Sequence, residues 1–285
     1  MSEFLAKVSE VKKKELEEKK QHFSLSKLKE MISKQDEVLS FSTAILPRST
    51  FHRGIDKDKF PPFLLDATNW APLHLRPDQE GFSSFSLAIK EGKGIIAEIK
   101  RSSPSKGVFI NEKEIESIAK TYERNGASAL SVVTEEKYFQ GNLTYLKKLK
   151  ALVDLPILHK DFIIDEYQIW ESKLHGADAL LLIVALLEPK KLYDFIKLTE
   201  KVGMEALVEI HDKEELKIAL EAEADIIGIN NRNLKTLEVN PNTSLTLLPL
   251  IPADKIKIVE SGLKSEQDIY FFKKLGADGF LIGEA

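Results

Sequence analysis

No cysteine occurs in the chain, which excludes a disulfide framework and thiolate chemistry and fits a reducing compartment. Long apolar runs are missing too: nothing approaches the ~20 consecutive apolar residues a membrane helix needs. Neither sign of charge dominates, with 41 basic against 45 acidic residues and a formal net charge of -4. A nucleic-acid binder would show a strongly basic face instead. The segment from Met1 to Lys20 is rich in Lys and Glu and lacks the apolar stretch of a secretory signal. None of the six histidines stands at a metal-ligand spacing. These absences predict a soluble, cytoplasmic globular protein that binds neither nucleic acid nor membrane; it is expected to be a monomer or weak homo-oligomer.

What is present is alternation. Eight short apolar runs follow residue 94: Ile95–Ile99, Ala129–Val133, Pro156–His159, Ala179–Ala185, Ala206–Ile210, Asp225–Ile229, Ile256–Val259 and Gly279–Ile282. Between them lie charged segments with helical spacing, among them Glu112–Asn125, Glu188–Val202 and Ser265–Leu275. Strands alternating with helices predict βαβ units and a parallel sheet buried on both faces. A repeat sharpens this: Gly126–Leu130 returns as Gly176–Leu180, weakly as Ala224–Ile227, and clearly as Gly276–Phe280. Each period holds two strands and two helices, so four double units predict a closed (βα)8 TIM barrel over residues 94–285. An open doubly wound sheet would carry a glycine-rich phosphate loop after its first strand, and Glu98–Gly107 is not one.

Residues 1–93 differ. Phe4–Lys20 and Ser24–Ser33 read as charged amphipathic helices, and 47–85 as a long, proline-rich loop that proteases should cut first. This stretch is expected to be an N-terminal helical extension lying on the barrel. The Lys run at 12–14 is read as a solvated helix face, and His159 and His211 as histidines that pack or bond locally.

Active sites of such barrels form where the strands end. The first run ends in Glu98-Ile99-Lys100, whose spacing of two puts both ionisable groups on one face. The third ends in His159-Lys160-Asp161, the fifth in Glu209, the sixth in Asn230-Asn231-Arg232 and the seventh in Glu260-Ser261-Gly262. Lysines and carboxylates converging in this way serve proton transfer. A lysine beside another cation and partly desolvated is expected to have a lowered pKa. Ser261-Gly262 and Gly283-Glu284 occupy the usual phosphate loops of this fold, and Ser103 and Ser105 can add hydroxyl donors.

Five segments carry more than this. Ile96–Gly107, Thr134–Gly141, Lys160–Asp165, Gly228–Thr236 and Glu260–Gly262 together resemble, in order, the signature of the indole-3-glycerol-phosphate synthases, over a stretch from about residue 84 to the end. The resemblance implies decarboxylating ring closure of 1-(2-carboxyphenylamino)-1-deoxyribulose 5-phosphate to indole-3-glycerol phosphate, in tryptophan biosynthesis. It implies a phosphosugar substrate and no metal or organic cofactor. It makes Lys160 the general acid at the ketone oxygen and sets Glu209 against the cation on the anilino nitrogen. Glu98 and Lys100 fall to the later dehydration, and Asn230 to the substrate hydroxyls. Arg232 then faces the substrate carboxylate and Glu260 completes the polar ring. Phe139, Phe162 and Leu181 sandwich the aromatic ring, while Ser103, Ser261, Gly262, Gly283 and Glu284 hold the phosphate.

Two features depart from that family. Residues 47–85 are longer than its usual link. The sequence also stops just after the eighth strand, where members continue with a helix, so the outward side chains of Gly279–Ile282 are expected to lie exposed. The rival readings are another phosphosugar barrel, such as phosphoribosylanthranilate isomerase, and a non-catalytic binding barrel. The first would not need Lys160 and Glu209 together with Glu98 and Lys100; the second would not keep the strand ends charged.

Overall fold

The computed structural model describes residues 3–34, 84–103, 107–108 and 110–283. Eight parallel strands close into a barrel: β1 (Ile95–Ile99), β2 (Ala129–Val133), β3 (Ile157–Lys160), β4 (Ala179–Ile183), β5 (Glu205–Ile210), β6 (Ile226–Asn230), β7 (Ile256–Glu260) and β8 (Gly279–Ile282). All eight expected strands are present, shifted by a residue or two at some ends. The fourth ends early, because Val184–Leu186 turns into a 3-10 helix.

The repeat has a local cause. Gly126, Gly176 and Gly276 take left-handed φ values of 81°, 82° and 95° where a helix ends before a strand, a conformation glycine adopts without a Cβ penalty. Two residues on, a side chain caps the start of the preceding strand segment. Ser128 Oγ accepts from Gly94 N, Asp178 Oδ2 from Ile157 N and Asp278 Oδ2 from Lys257 N, at 2.7–3.0 Å. Each repeat unit thus pins one strand entry to the next.

Strand alternation sorts the side chains. Ile96, Leu158, Leu181, Leu207, Ile258 and Leu281 fill the barrel interior, while Ile99, Leu130, Leu180, Val208, Ile227 and Phe280 face the surrounding helices. Phe280 is fully buried, contrary to the expectation of an exposed outward face. It belongs to the outer cluster that includes Ile115, Ala119 and Phe272, and Ile282 is half-buried. On and just after the helix Glu266–Lys274 that precedes β8, Tyr270, Phe271 and Leu275 are exposed.

The N-terminal helices, α1 (Glu3–His22), α2 (25–34) and α3 (Ser84–Glu91), serve opposite ends of the barrel. Phe85 and Ile89 of α3 join the interior cluster, and Ser86 N donates to Glu205 Oε2 at the entry of β5. Helix α1 lies over the strand exits: Leu5 and Val8 join the same cluster, and Lys12 Nζ stands 2.9 Å from Asp161 Oδ1. Lys12 is therefore no part of a solvated face. It is buried, while Lys13 and Lys14 are exposed. Residues 47–83 of the expected 47–85 loop lie outside the described residues, and its last two, Ser84 and Phe85, begin α3 instead. No helix among the described residues is long and apolar enough to cross a membrane.

Candidate active site

The inward positions at the strand exits hold Glu98 (β1), Lys160 (β3), Glu209 (β5), Asn230 (β6) and Glu260 (β7), with Lys100 just beyond β1. Glu98, Lys160, Glu209 and Glu260 each lie two residues past an interior apolar residue (Ile96, Leu158, Leu207 and Ile258), and Asn230 lies four past Ile226, so all five share the inward parity. Lys160 spans the mouth: its Nζ lies 3.2 Å from Glu98 Oε2 and 3.1 Å from Glu260 Oε2. Lys100 Nζ lies 2.8 Å from Glu98 Oε1. Glu98, Glu209 and Glu260 are all buried. Leaving these carboxylates charged without a partner would cost several kcal/mol each, a cost that the cations beside them reduce.

Glycines make room for these side chains. A Cβ at Gly283 would lie 2.5 Å from Glu98 Oε1 and 3.0 Å from Glu98 Cβ. At Gly228, a Cβ would collide with Glu260 Oε1.

The electrostatics follow from the pairing. Burial pushes the Glu98 carboxyl up, but Lys160 and Lys100 outweigh it and hold it at about 2. Burial pushes Glu260 up, and with Glu209 and Glu98 nearby it reaches about 7 despite Lys160. Burial alone would lower the Lys160 ammonium, yet Glu260, Glu98 and Glu209 together hold it raised. The expected lowering is thus overturned for Lys160: its neighbours are three carboxylates rather than a second cation.

The ring-binding and phosphate candidates also assemble. Phe139 and Phe162 stand with centroids 6.4 Å apart, in the interior cluster that contains Leu181. Phe139 ends a short helix (Glu136–Phe139) capped by buried Glu135, whose side chain accepts from the Lys137, Tyr138 and Phe139 amides. Phe162 follows Asp161, whose carboxylate accepts from Phe162 N and Thr134 Oγ1. Phe4 of α1 packs edge-on against Phe162. Ser261 and Gly262 after β7, Gly283 after β8 and Ser103 after β1 share one sector of the rim, since β8 lies between β7 and β1. Ser261 and Gly262 are both left-handed, with φ of 65° and 80°, and Asn231 Nδ2 holds the Ser261 carbonyl at 3.0 Å. Glu284 and Ser105 lie outside the described residues. Arg232 donates from Nη1 to Leu237 O of its own loop.

His159 bonds locally, as expected, to Thr134 and Ser172, and burial lowers it to about 4. His211 does more. Its Nε2 lies 3.3 Å from Glu209 Oε1, a link that its position two residues after Glu209 could have signalled, by the parity used for Glu98 and Lys100. Asn231, Gly228 and Glu135 were given no role from the sequence, and the Lys12–Asp161 pairing was not expected.

A (βα)8 barrel with a lysine–carboxylate ring at its strand exits, beside glycine-bearing loops after β7 and β8, has the layout of an acid–base site for a phosphorylated substrate. Residues 65–285 match the family described as indole-3-glycerol phosphate synthase, and the chain belongs to that family. The indole-3-glycerol phosphate synthase of Chlorobium phaeovibrioides is 50% identical over 204 residues, which is 70% of this chain and 79% of the relative. That of Carboxydothermus hydrogenoformans is 52% identical over 193 residues, 67% of this chain and 73% of the relative. Among solved structures, the N-acetylmannosamine-6-phosphate 2-epimerase of Clostridium perfringens superposes with a TM-score of 0.54 at 13% identity, covering 69% of this chain and 89% of its own. At that identity the likeness concerns the fold alone.

Proposed function

We propose that this chain is an indole-3-glycerol phosphate synthase, a carbon–carbon lyase working in the cytoplasm. The observation that carries the reading is Lys160, held as an ammonium between Glu98 and Glu260 at the mouth of a barrel that carries the family's motifs. The substrate's aromatic ring lies among Phe139, Phe162 and Leu181. Its phosphate meets the amides and hydroxyls of Ser103, Ser261, Gly262, Gly283 and Glu284, and its carboxylate faces Arg232 and Lys100.

As the ring carbon bearing the carboxylate attacks the ketone carbon, Lys160 gives a proton to the ketone oxygen, which becomes a hydroxyl. Starting as the ammonium is what a general acid requires. The positive charge that forms on the anilino nitrogen is met by the Glu209 carboxylate, a fixed anion in a water-poor site. Carbon dioxide then leaves and its bonding pair returns to the ring. In the last step Glu98 and Lys100 remove one proton and donate another, and the hydroxyl departs as water. Asn230 orients the substrate hydroxyls throughout, Glu260 completes the polar ring beside Lys160, and Lys160 regains its proton from solvent before the next turnover.

The test is fluorescence-monitored turnover of the carboxyphenylamino substrate by the full chain, with carbon dioxide release measured in parallel. Stoichiometric indole-3-glycerol phosphate and carbon dioxide are expected. Product absent while the substrate still binds would overturn the proposal.

A further inference from the structure

Outside the roles just assigned, one largely buried ionisable ring stands beside Glu209. His211 follows β5 at the same inward parity as Glu209, as Lys100 follows Glu98 on β1. Its ring is held from the outer side by Glu215, the third residue of the helix Lys213–Glu221. Glu215 Oε2 lies 3.0 Å from His211 Nδ1 and also accepts from His211 N at 2.8 Å. Glu215 N in turn donates to the N-cap Asp212. The helix start therefore fixes the imidazole in rotation and in position. The opposite nitrogen, Nε2, is buried and faces Glu209 Oε1 at 3.3 Å, off the line of a straight hydrogen bond and with no other polar partner among the described residues.

We propose that His211 is a positioning residue for Glu209: an imidazolium clamped by Glu215, which orients the Glu209 carboxylate and serves as its permanent counter-charge. The other groups acting on Glu209 are Lys160 from β3 and Asn230 from β6, and Glu209 in turn raises Glu260 on β7. Lys160 is already shared between Glu98 and Glu260. Without His211, Glu209 would compete for one ammonium with two other carboxylates, and it would take up a proton at a higher pH. A protonated Glu209 cannot oppose a cation on the substrate. Burial works against the charged imidazole, but Glu209 and Glu215 outweigh it and raise it to about 10. The imidazolium is therefore intact across the neutral range and is lost only as pH rises through that value.

This inference rests on the function proposed above for its catalytic meaning, but its first test does not. In the ligand-free protein, an NMR titration of the His211 ring should find it charged up to about pH 9, and Glu215→Gln should lower its pKa by at least about one unit, as loss of a close opposite charge does. A ring that titrates near the ordinary 6.5 would overturn the clamp whatever the activity. The second test is a pH profile of kcat. His211→Asn should move the acid limb up by about one unit or more, and His211→Lys should move it back. A profile unchanged in His211→Asn, with the protein folded, would refute the link to Glu209. Failure of the wild-type assay would instead refute the proposed function and leave the titration standing.

Discussion

Replacing Lys12 by Met removes the cation that ties α1 to the strand exits. The side chains of Lys12 and Asp161 are only 8% and 9% exposed, and their charged atoms lie 2.9 Å apart. At an effective dielectric of ~20, that separation is worth roughly 6 kcal/mol of gross attraction, much of it offset by desolvation. The loss on removing one partner is set by the ion left behind, about 3–5 kcal/mol. Asp161 keeps two hydrogen bonds, from Phe162 N and Thr134 Oγ1, which points to the lower end, about 3 kcal/mol. Urea denaturation at pH 7 of Lys12→Met, Asp161→Asn and the double variant measures the loss and the coupling. The pH dependence has a definite sign. Burial raises the Asp161 carboxyl, but Lys12 and His159 outweigh it and hold it below its ordinary 3.8. Its contribution is present above that value and lost as pH falls through the lower folded value. Lys12→Met should therefore flatten the acid limb of the stability curve. Because Phe4 of the same helix packs on Phe162, KM should rise while kcat changes little. A loss under ~0.5 kcal/mol, the range of an ordinary surface substitution, or additive single and double variants would refute the reasoning.

Three further outcomes are expected. Lys160→Ala should leave the fold intact, by circular dichroism, and lower kcat at least ~100-fold, the scale of one general acid; turnover near that of the wild type would remove Lys160 from the mechanism. Gly262→Val forces a β-branched residue to φ 80° and brings a Cβ within 2.6 Å of Val239 Cγ1, so binding of phosphate-bearing ligands should weaken by calorimetry. An equal loss for a dephosphorylated analogue would detach Gly262 from the phosphate. Gly283→Ala keeps its amide but pushes against Glu98, so kcat should fall by roughly 100-fold, the cost of a displacement of about 1 Å at a reacting group, with inorganic phosphate binding retained; unchanged kcat would refute the packing argument.

The barrel was legible because its signals are local. Apolar runs, helical spacing and a glycine ahead of alternate strands are each decided within a few residues, and the structure reproduces all eight strands. The end of β4 at Ile183 depends on a single 3-10 turn that an apolar run conceals. Docking of α1 was not legible, since Lys12 looks like its exposed neighbours Lys13 and Lys14 until Asp161 is placed opposite it. Phe280 was misjudged for the same reason: alternation gives its direction but not the Ile115, Ala119 and Phe272 cluster that buries it.

The site shows the same division between what a strand decides alone and what the closed ring decides. Placing Glu98, Lys160, Glu209, Asn230 and Glu260 at the strand exits needed only the parity of each strand. Their protonation needed the register across the barrel, which no local pattern contains. The expectation that a lysine beside another cation has a lowered pKa would apply to Lys160 if Lys100 alone stood near it. In the closed ring Glu98 lies between them, 2.8 Å from one and 3.2 Å from the other, and Glu260 binds Lys160 from the far side. The sign of the shift therefore reverses. The same closure explains why Gly228 and Gly283 stand at inward positions where neighbouring strands carry large side chains. A longer residue at either would displace Glu260 or Glu98 from Lys160, so the pairing of Lys160 depends on two positions that carry no side chain.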